Sequence, residues 1–188
     1  PYSAFNSFSV QLDDVTISGN TAGAPGTPNP GNGGGVHITG SSSVDIQGGS
    51  TMIENNVAAA EGGGLWNSSN GGLRLQGGIT VQGNEAQGNA ADQGGGGIFT
   101  DGGTVIITGT ALIQNNDATG TSGSGGGIFS AGGGTDANGN PAVFNVLGAT
   151  IQSNTAVRAG GGVEIVDGTF NITDSTIDGN GVATTPTA

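Results

Sequence analysis

The amino-acid sequence predicts an all-β chain wound into a single-stranded parallel β-helix, a β-solenoid of about six three-strand coils. Three observations predict it. A phrase recurs: residues 33–56, "GGGVHITGSSSVDIQGGSTMIENN", return as 95–116, "GGGIFTDGGTVIITGTALIQNN", and again as 160–180, "GGGVEIVDGTFNITDSTIDGN". Inside the phrase apolar residues are spaced by two rather than 3.6, as in "TFNIT" (169–173) and "LRL" (73–75), which is the period of a strand. Finally, the 42 glycines fall at fixed places between short aliphatic runs, unlike those of a flexible low-complexity tract.

Each element of a coil follows from the alignment. Six copies of Ile/Val-x-x-Asn end at Asn20, Asn56, Asn84, Asn116, Asn154 and Asn180, at intervals of 36, 28, 32, 38 and 26 residues. Five triple-glycine blocks interleave with them, ending at Gly35, Gly64, Gly97, Gly127 and Gly162. The first strand follows that block, where positive φ and close backbone approach suit a residue without Cβ. It opens on Val36, Leu65, Ile98, Ile128 or Val163. The second strand is the alternating Thr/Phe/Val-rich segment, and the third carries Ile-x-x-Asn. Stacking coils at about 4.8 Å lines Ile17, Ile53, Val81, Ile113, Ile151 and Ile177 along one inner wall. The corner Asn is expected to take a left-handed backbone. Its amide is expected to donate to one neighbouring coil and accept from the other, a structural ladder. Ala22, Ala58, Ala86, Ala118 and Ala156, two residues beyond, suit a tight corner. The insertions at 21–32 and 132–142 belong outside the coil. Residues 1–188 then form a single solenoid domain, with 1–7 and 181–188 as terminal segments bridging subunits.

Charge narrows the partners. Fourteen acidic residues face only Arg74 and Arg158, and the net charge is −12. Such a chain has too few cations to displace counterions from nucleic acid, and an acidic membrane surface repels it. No apolar run is long enough for membrane insertion. Few basic groups and no cysteine fit an exported protein that gains durability without disulfides. "DANGN" (136–140) opens like a calcium loop, but Pro141 and Leu147 stand where Gly and a bidentate Glu are required. An Asx-rich turn is expected there, with no metal and no cofactor.

The pairing of a glycine-led strand with an asparagine-ended one resembles the repeats of polymorphic outer-membrane proteins, bacterial surface proteins in which GGA-Ile/Leu/Val alternates with Phe-x-x-Asn. Here GGG replaces GGA and Ile or Val replaces Phe, over residues 8–180. The resemblance implies a right-handed coil, a place outside the bacterial cell or on its surface, and a family use in adhesion. No membrane barrel of the autotransporter kind stands in residues 1–188. Fold alone does not give the activity.

Strand alternation turns the residue after each glycine-led aliphatic outward: His37, Trp66, Phe99 and Phe129, followed by Glu164. Two readings stand open. The four rings form an exposed binding stripe for a glycan or another surface protein, or a loop folds back and makes them a second small core. Catalysis is not expected, although many parallel β-helices cleave polysaccharides. A lyase would need Arg74 or Arg158, which lie two or three coils apart. The carboxylates Asp13, Asp14, Asp167, Asp174 and Asp178 fall on different sides of their coils, unlike a hydrolase pair. An outward threonine column (Thr16, Thr80, Thr150, Thr176) would suggest ice binding, but Met52 and Leu112 interrupt it.

The ends carry most of the functional expectation. Six Asn corners meet five triple-glycine strands, so one end holds an incomplete coil and the other an unblocked one. Open rims recruit other chains. The reading that follows is a non-catalytic extracellular structural subunit stacking head to tail on itself into a filament. A fragment of a cell-surface adhesin and a polysaccharide-cleaving enzyme are the alternatives.

Overall fold

The computed structural model describes residues 10–24, 31–135 and 139–183. Regular structure among them is strand alone, in four parallel ladders, three of six strands and one of five. Three ladders are those the alignment predicts. The glycine-led ladder runs from Val36–Ile38 to Val163–Ile165 in five strands. A longer ladder runs from Val10–Asp13 to Thr169–Thr173 in six. The wall bearing Ile-x-x-Asn runs from Thr16–Ser18 to Thr176–Asp178, also in six.

A fourth ladder adds to these. Directly after each corner Asn come two-residue strands, from Thr21–Ala22 to Gly181–Val182. The recurring alanine is the inward residue of these strands, and Ala58, Ala86, Ala118 and Ala156 are buried. A methyl recurs at these four places, where the short wall closes on the core.

Register explains why repeats of unequal length stack. Ile17, Ile53, Val81, Ile113, Ile151 and Ile177 pair in sequence, each directly above the last. Loops absorb the surplus residues at the corners, so strand alternation never slips and no apolar set is turned outward. The core is one narrow column. Ile46, Leu75, Ile107 and Val146 of the long ladder meet Leu65, Ile98 and Ile128 of the glycine-led one, all excluded from solvent.

One expectation needs correction. The left-handed residue of each corner is not the ladder Asn but the residue before it: Gly19, Asn55, Gly83, Asn115, Ser153 and Gly179, with φ between 52° and 66°. Gly, Asn and Ser are residues that tolerate this conformation. The turn made there frees the following Asn to point its amide inward. The triple glycine serves as expected. In the block 95–97, Gly95 has φ 66°, and a Cβ on Gly97 would stand 2.6 Å from the Gly127 carbonyl oxygen and 3.1 Å from the Asn116 amide.

Candidate functional site

The ladder asparagines come together as the sequence predicts. Asn56, Asn84, Asn116 and Asn154 are fully buried. In every step the backbone N–H and Nδ2 of one Asn both donate to Oδ1 of the Asn in the next coil. For Asn84 and Asn116 these bonds are 3.0 and 2.9 Å, and the other four steps repeat them. Nδ2 also donates backward, to the carbonyl three residues before the preceding Asn: Asn56 to Ile17, Asn84 to Ile53, Asn116 to Val81, Asn154 to Ile113 and Asn180 to Ile151. The amide oxygen thereby satisfies the backbone N–H of the preceding Asn, which lies past the end of its wall strand and would otherwise be orphaned in the core. A second amide ladder lies on the outer face. Gln152 donates to Gln114, Gln114 to Gln82 and Gln82 to Glu54, at 2.8–3.0 Å.

His37, Trp66, Phe99 and Phe129 also form the expected column. Their rings are stacked nearly parallel, with centroids 4.4, 6.3 and 5.1 Å apart in sequence. The reading of all four as an exposed binding stripe is corrected. Phe99 and Phe129 are buried, Trp66 is half-buried, and only His37 is exposed. Neither phenyl belongs to the main core cluster, so they form a small second core on the outer side of the wall. Near them the corner loops of successive coils tie to one another: Ser124 donates to the Gln93 carbonyl and Arg158 to the carbonyls of Gly123 and Ala91. Arg158 also pairs with Glu164 at 2.5 Å, where Glu164 continues the column beside Phe129. Stacking turns the ring faces along the solenoid axis, toward each other. A sugar needs such a face free, so the two inner rings offer it nothing.

Two carboxylates outside the predicted set hold buried or half-buried places. Glu61 accepts from Trp66 Nε1 at 2.9 Å and from Asn32 Nδ2 at 3.1 Å. Burial pushes its carboxyl above the ordinary glutamate range; the indole bond opposes this, and Asp101 and Asp92 add to it. Asp45 is fully buried under Arg74, which grips it from Nε and from the guanidinium terminus at 2.9 and 2.6 Å. One sequence signal points to Asp45: in register it faces Arg74 directly. Glu61, five residues before Trp66, carries none.

Arg74 and Arg158 are each engaged with a carboxylate. Asp167, Asp174 and Asp178 are exposed around the last coil. Among the described residues no group of three His, Asp or Glu is placed to hold a metal ion, and residues 136–138 of the calcium-like loop lie outside them. Thr16, Thr80, Thr150 and Thr176 share one column, with Met52 and Leu112 in register between them.

The two rims differ from everything between them. At the wall position where Ile151 is 0 % exposed, Ile177 of the last coil is 49 % exposed. Val146 at 1 % gives way to Ile172 at 37 %, and Ala156 at 1 % to Val182 at 48 %. At the other rim Val10 is exposed, and Leu12 and Ile17 are partly so. Coil one has no described strand in the glycine-led ladder, which therefore ends one level early at Val36–Ile38. Compared with known proteins, the chain matches no family model, no curated protein and no solved structure.

Proposed function

We propose that this chain is a non-catalytic structural unit whose rims stack on further copies of itself, end to end, in a fibre or filament at the bacterial surface. One observation carries the reading: inner-wall residues that are sealed in the middle coils lie open at the rim, most plainly Ile177 against Ile151. The strands around them end their ladders among the described residues, and an open strand edge is a template for another chain. A non-closing contact between two unlike ends yields a filament rather than a closed ring. The extracellular placement draws on the resemblance to surface-protein repeats and on the cysteine-free, acidic composition. Of the terminal segments assigned to bridging, 1–7 and 184–188 lie outside the described residues, while Gly181–Val182 pairs with Thr155–Ala156 of its own chain.

Binding of a glycan or surface protein, as in an adhesin, is the weaker reading, because stacking occupies the inner ring faces of the aromatic column. Sedimentation velocity over a concentration series, with negative-stain microscopy, tests the proposal. Wild-type chain is expected to form rods of growing length. Ile177→Lys, which puts a charge on an apolar rim already open to solvent, is expected to stop at monomers with its strand signal intact. Monodisperse wild-type monomers throughout the series would refute the reading.

A further inference from the structure

We infer that the asparagine ladder makes the junction between copies polar: the coil-six rim accepts the coil-one rim of a second copy, and like ends do not join. This rests on the stacking reading above and specifies which surface of the second copy is bound, and in what register. The ladder has a chemical direction. From Asn20 to Asn154 the backbone N–H and one Nδ2 hydrogen donate toward the higher-numbered coil, and from Asn56 to Asn180 each Oδ1 accepts from the lower-numbered one. Direction leaves unlike ends. At the coil-six rim Asn180 uses Nδ2 on the Ile151 carbonyl, and neither its backbone N–H nor its other amide hydrogen has a described acceptor. At the coil-one rim Asn20 donates to Asn56, and its Oδ1 has no described donor.

Placing coil one of a second copy on coil six continues the pattern without a gap. Asn180 N–H and Nδ2 meet the second copy's Asn20 Oδ1, and that residue's Nδ2 meets the Ile177 carbonyl. Like rims cannot repeat this match, because Asn180 donors need the Oδ1 that only the coil-one rim presents, and Asn20 Oδ1 needs the donors that only the coil-six rim presents. A two-fold axis between like rims would also reverse strand direction, so the corners of the two coils would not superimpose.

The inner walls match in the same register. Extending the internal pairings puts Phe170 over Val10, Ile172 over Leu12, Ile177 over Ile17 and Val182 over Ala22. Each of these is an apolar pair, so the exposed rim of coil six finds a complementary floor. The glycine-led ladder alone does not continue. Val163–Ile165 and the second copy's Val36–Ile38 stand two levels apart, and the junction closes through three ladders.

The chain has no cysteine, so disulfide trapping reads the junction without background. Thr16 and Thr176 are both exposed on the outer face of one wall. A polar, in-register junction sets them level on neighbouring strands about 4.8 Å apart, inside the roughly 4.4–6.8 Å that a disulfide spans between Cα atoms. Thr16→Cys, Thr176→Cys, their equimolar mixture and the double variant are assembled, checked by sedimentation, then oxidised and run on a non-reducing gel. The mixture is expected to give covalent dimers and the double variant a covalent ladder, with neither single variant cross-linking alone. Cross-linking within one single variant would show like ends meeting. Assemblies from the mixture that do not cross-link would show another register. Either result overturns the polar junction while leaving self-assembly intact. No assembly in any sample would instead remove the stacking reading on which it rests.

Discussion

Replacing Asn84 by Ala tests whether the amide ladder holds the coils together. Asn84 Oδ1 accepts the backbone N–H of Asn56 at 3.0 Å and its Nδ2 at 2.9 Å. Its own Nδ2 donates to the Ile53 carbonyl and to Asn116 Oδ1, each at 2.9 Å. Asn116 Oδ1 keeps the Asn84 backbone N–H, so that acceptor survives. The two Asn56 donors lose their acceptor in a place with no access to solvent. At about 1–3 kcal/mol for each buried donor left unsatisfied, the substitution costs about 2–6 kcal/mol. With m of about 2 kcal/mol/M for urea, the midpoint falls by roughly 1–3 M. Asn20→Ala is the matched control. Asn20 is exposed, and its loss leaves Asn56 Oδ1 still accepting the residue-20 N–H, so its cost stays below about 1 kcal/mol. Both are measured by far-UV circular dichroism in urea, in the Ile177→Lys background so that assembly does not enter. Equal midpoints for the two alanine variants would refute the reasoning, since the ladder would then be bystander rather than fastening.

Three further outcomes are expected. Glu61 has its pKa raised above 4.5 chiefly by burial, so its contribution to stability is full below pH 4.5 and is lost as pH rises through the elevated value. Glu61→Gln keeps an acceptor for Trp66 and is expected to flatten that part of the pH profile, equalling or exceeding wild-type stability at pH 7; thermal melts from pH 4 to pH 7 check this. Gly97→Ala drives a Cβ against backbone of the next coil and is expected to cost at least about 2 kcal/mol by urea melt. Gly19→Ala meets nothing within 4 Å and is expected to cost only the left-handed strain of about 1–2 kcal/mol. In the polar junction, Asp174 stands over Asp14 of the second copy, continuing the Thr173 and Asp13 register. At an effective dielectric near that of water this repulsion is about 0.8 kcal/mol, so Asp174→Asn is expected to lower the critical concentration about fourfold, measured by pelleting. Added salt, which screens the net charge of −12, is expected to shrink that difference.

Much of this molecule is legible in its sequence, because a solenoid writes each constraint once per coil. Six asparagines at unequal intervals already imply that the corner, not the residue count, is what each coil keeps. The features that stay hidden depend on contacts outside the repeat. The fourth ladder is only two residues per strand, too short to show alternation. Placing the left-handed residue on the ladder Asn errs by one position, because Asn tolerates that conformation and stands at the corner. The side chains at the preceding position (Gly19, Asn55, Gly83, Asn115, Ser153, Gly179) carry the better signal, since every one of them is small or amide-bearing. Burial of Phe99 and Phe129 does not follow from strand alternation, which gives the direction of a side chain but not what lies on it. Glu61 is likewise settled by its neighbours, Trp66 five residues on and Asn32 from the adjoining loop.

The corners take up intervals from 26 to 38 residues between successive asparagines without changing the register of a single wall. Each winding therefore advances the molecule by the same step, about 4.8 Å, whatever its mass. The protein keeps length on a separate scale from molecular weight, like a ruler graduated in turns. Six turns span about 29 Å. Duplicating one repeat would lengthen the rod by one graduation and leave both of its faces as they were.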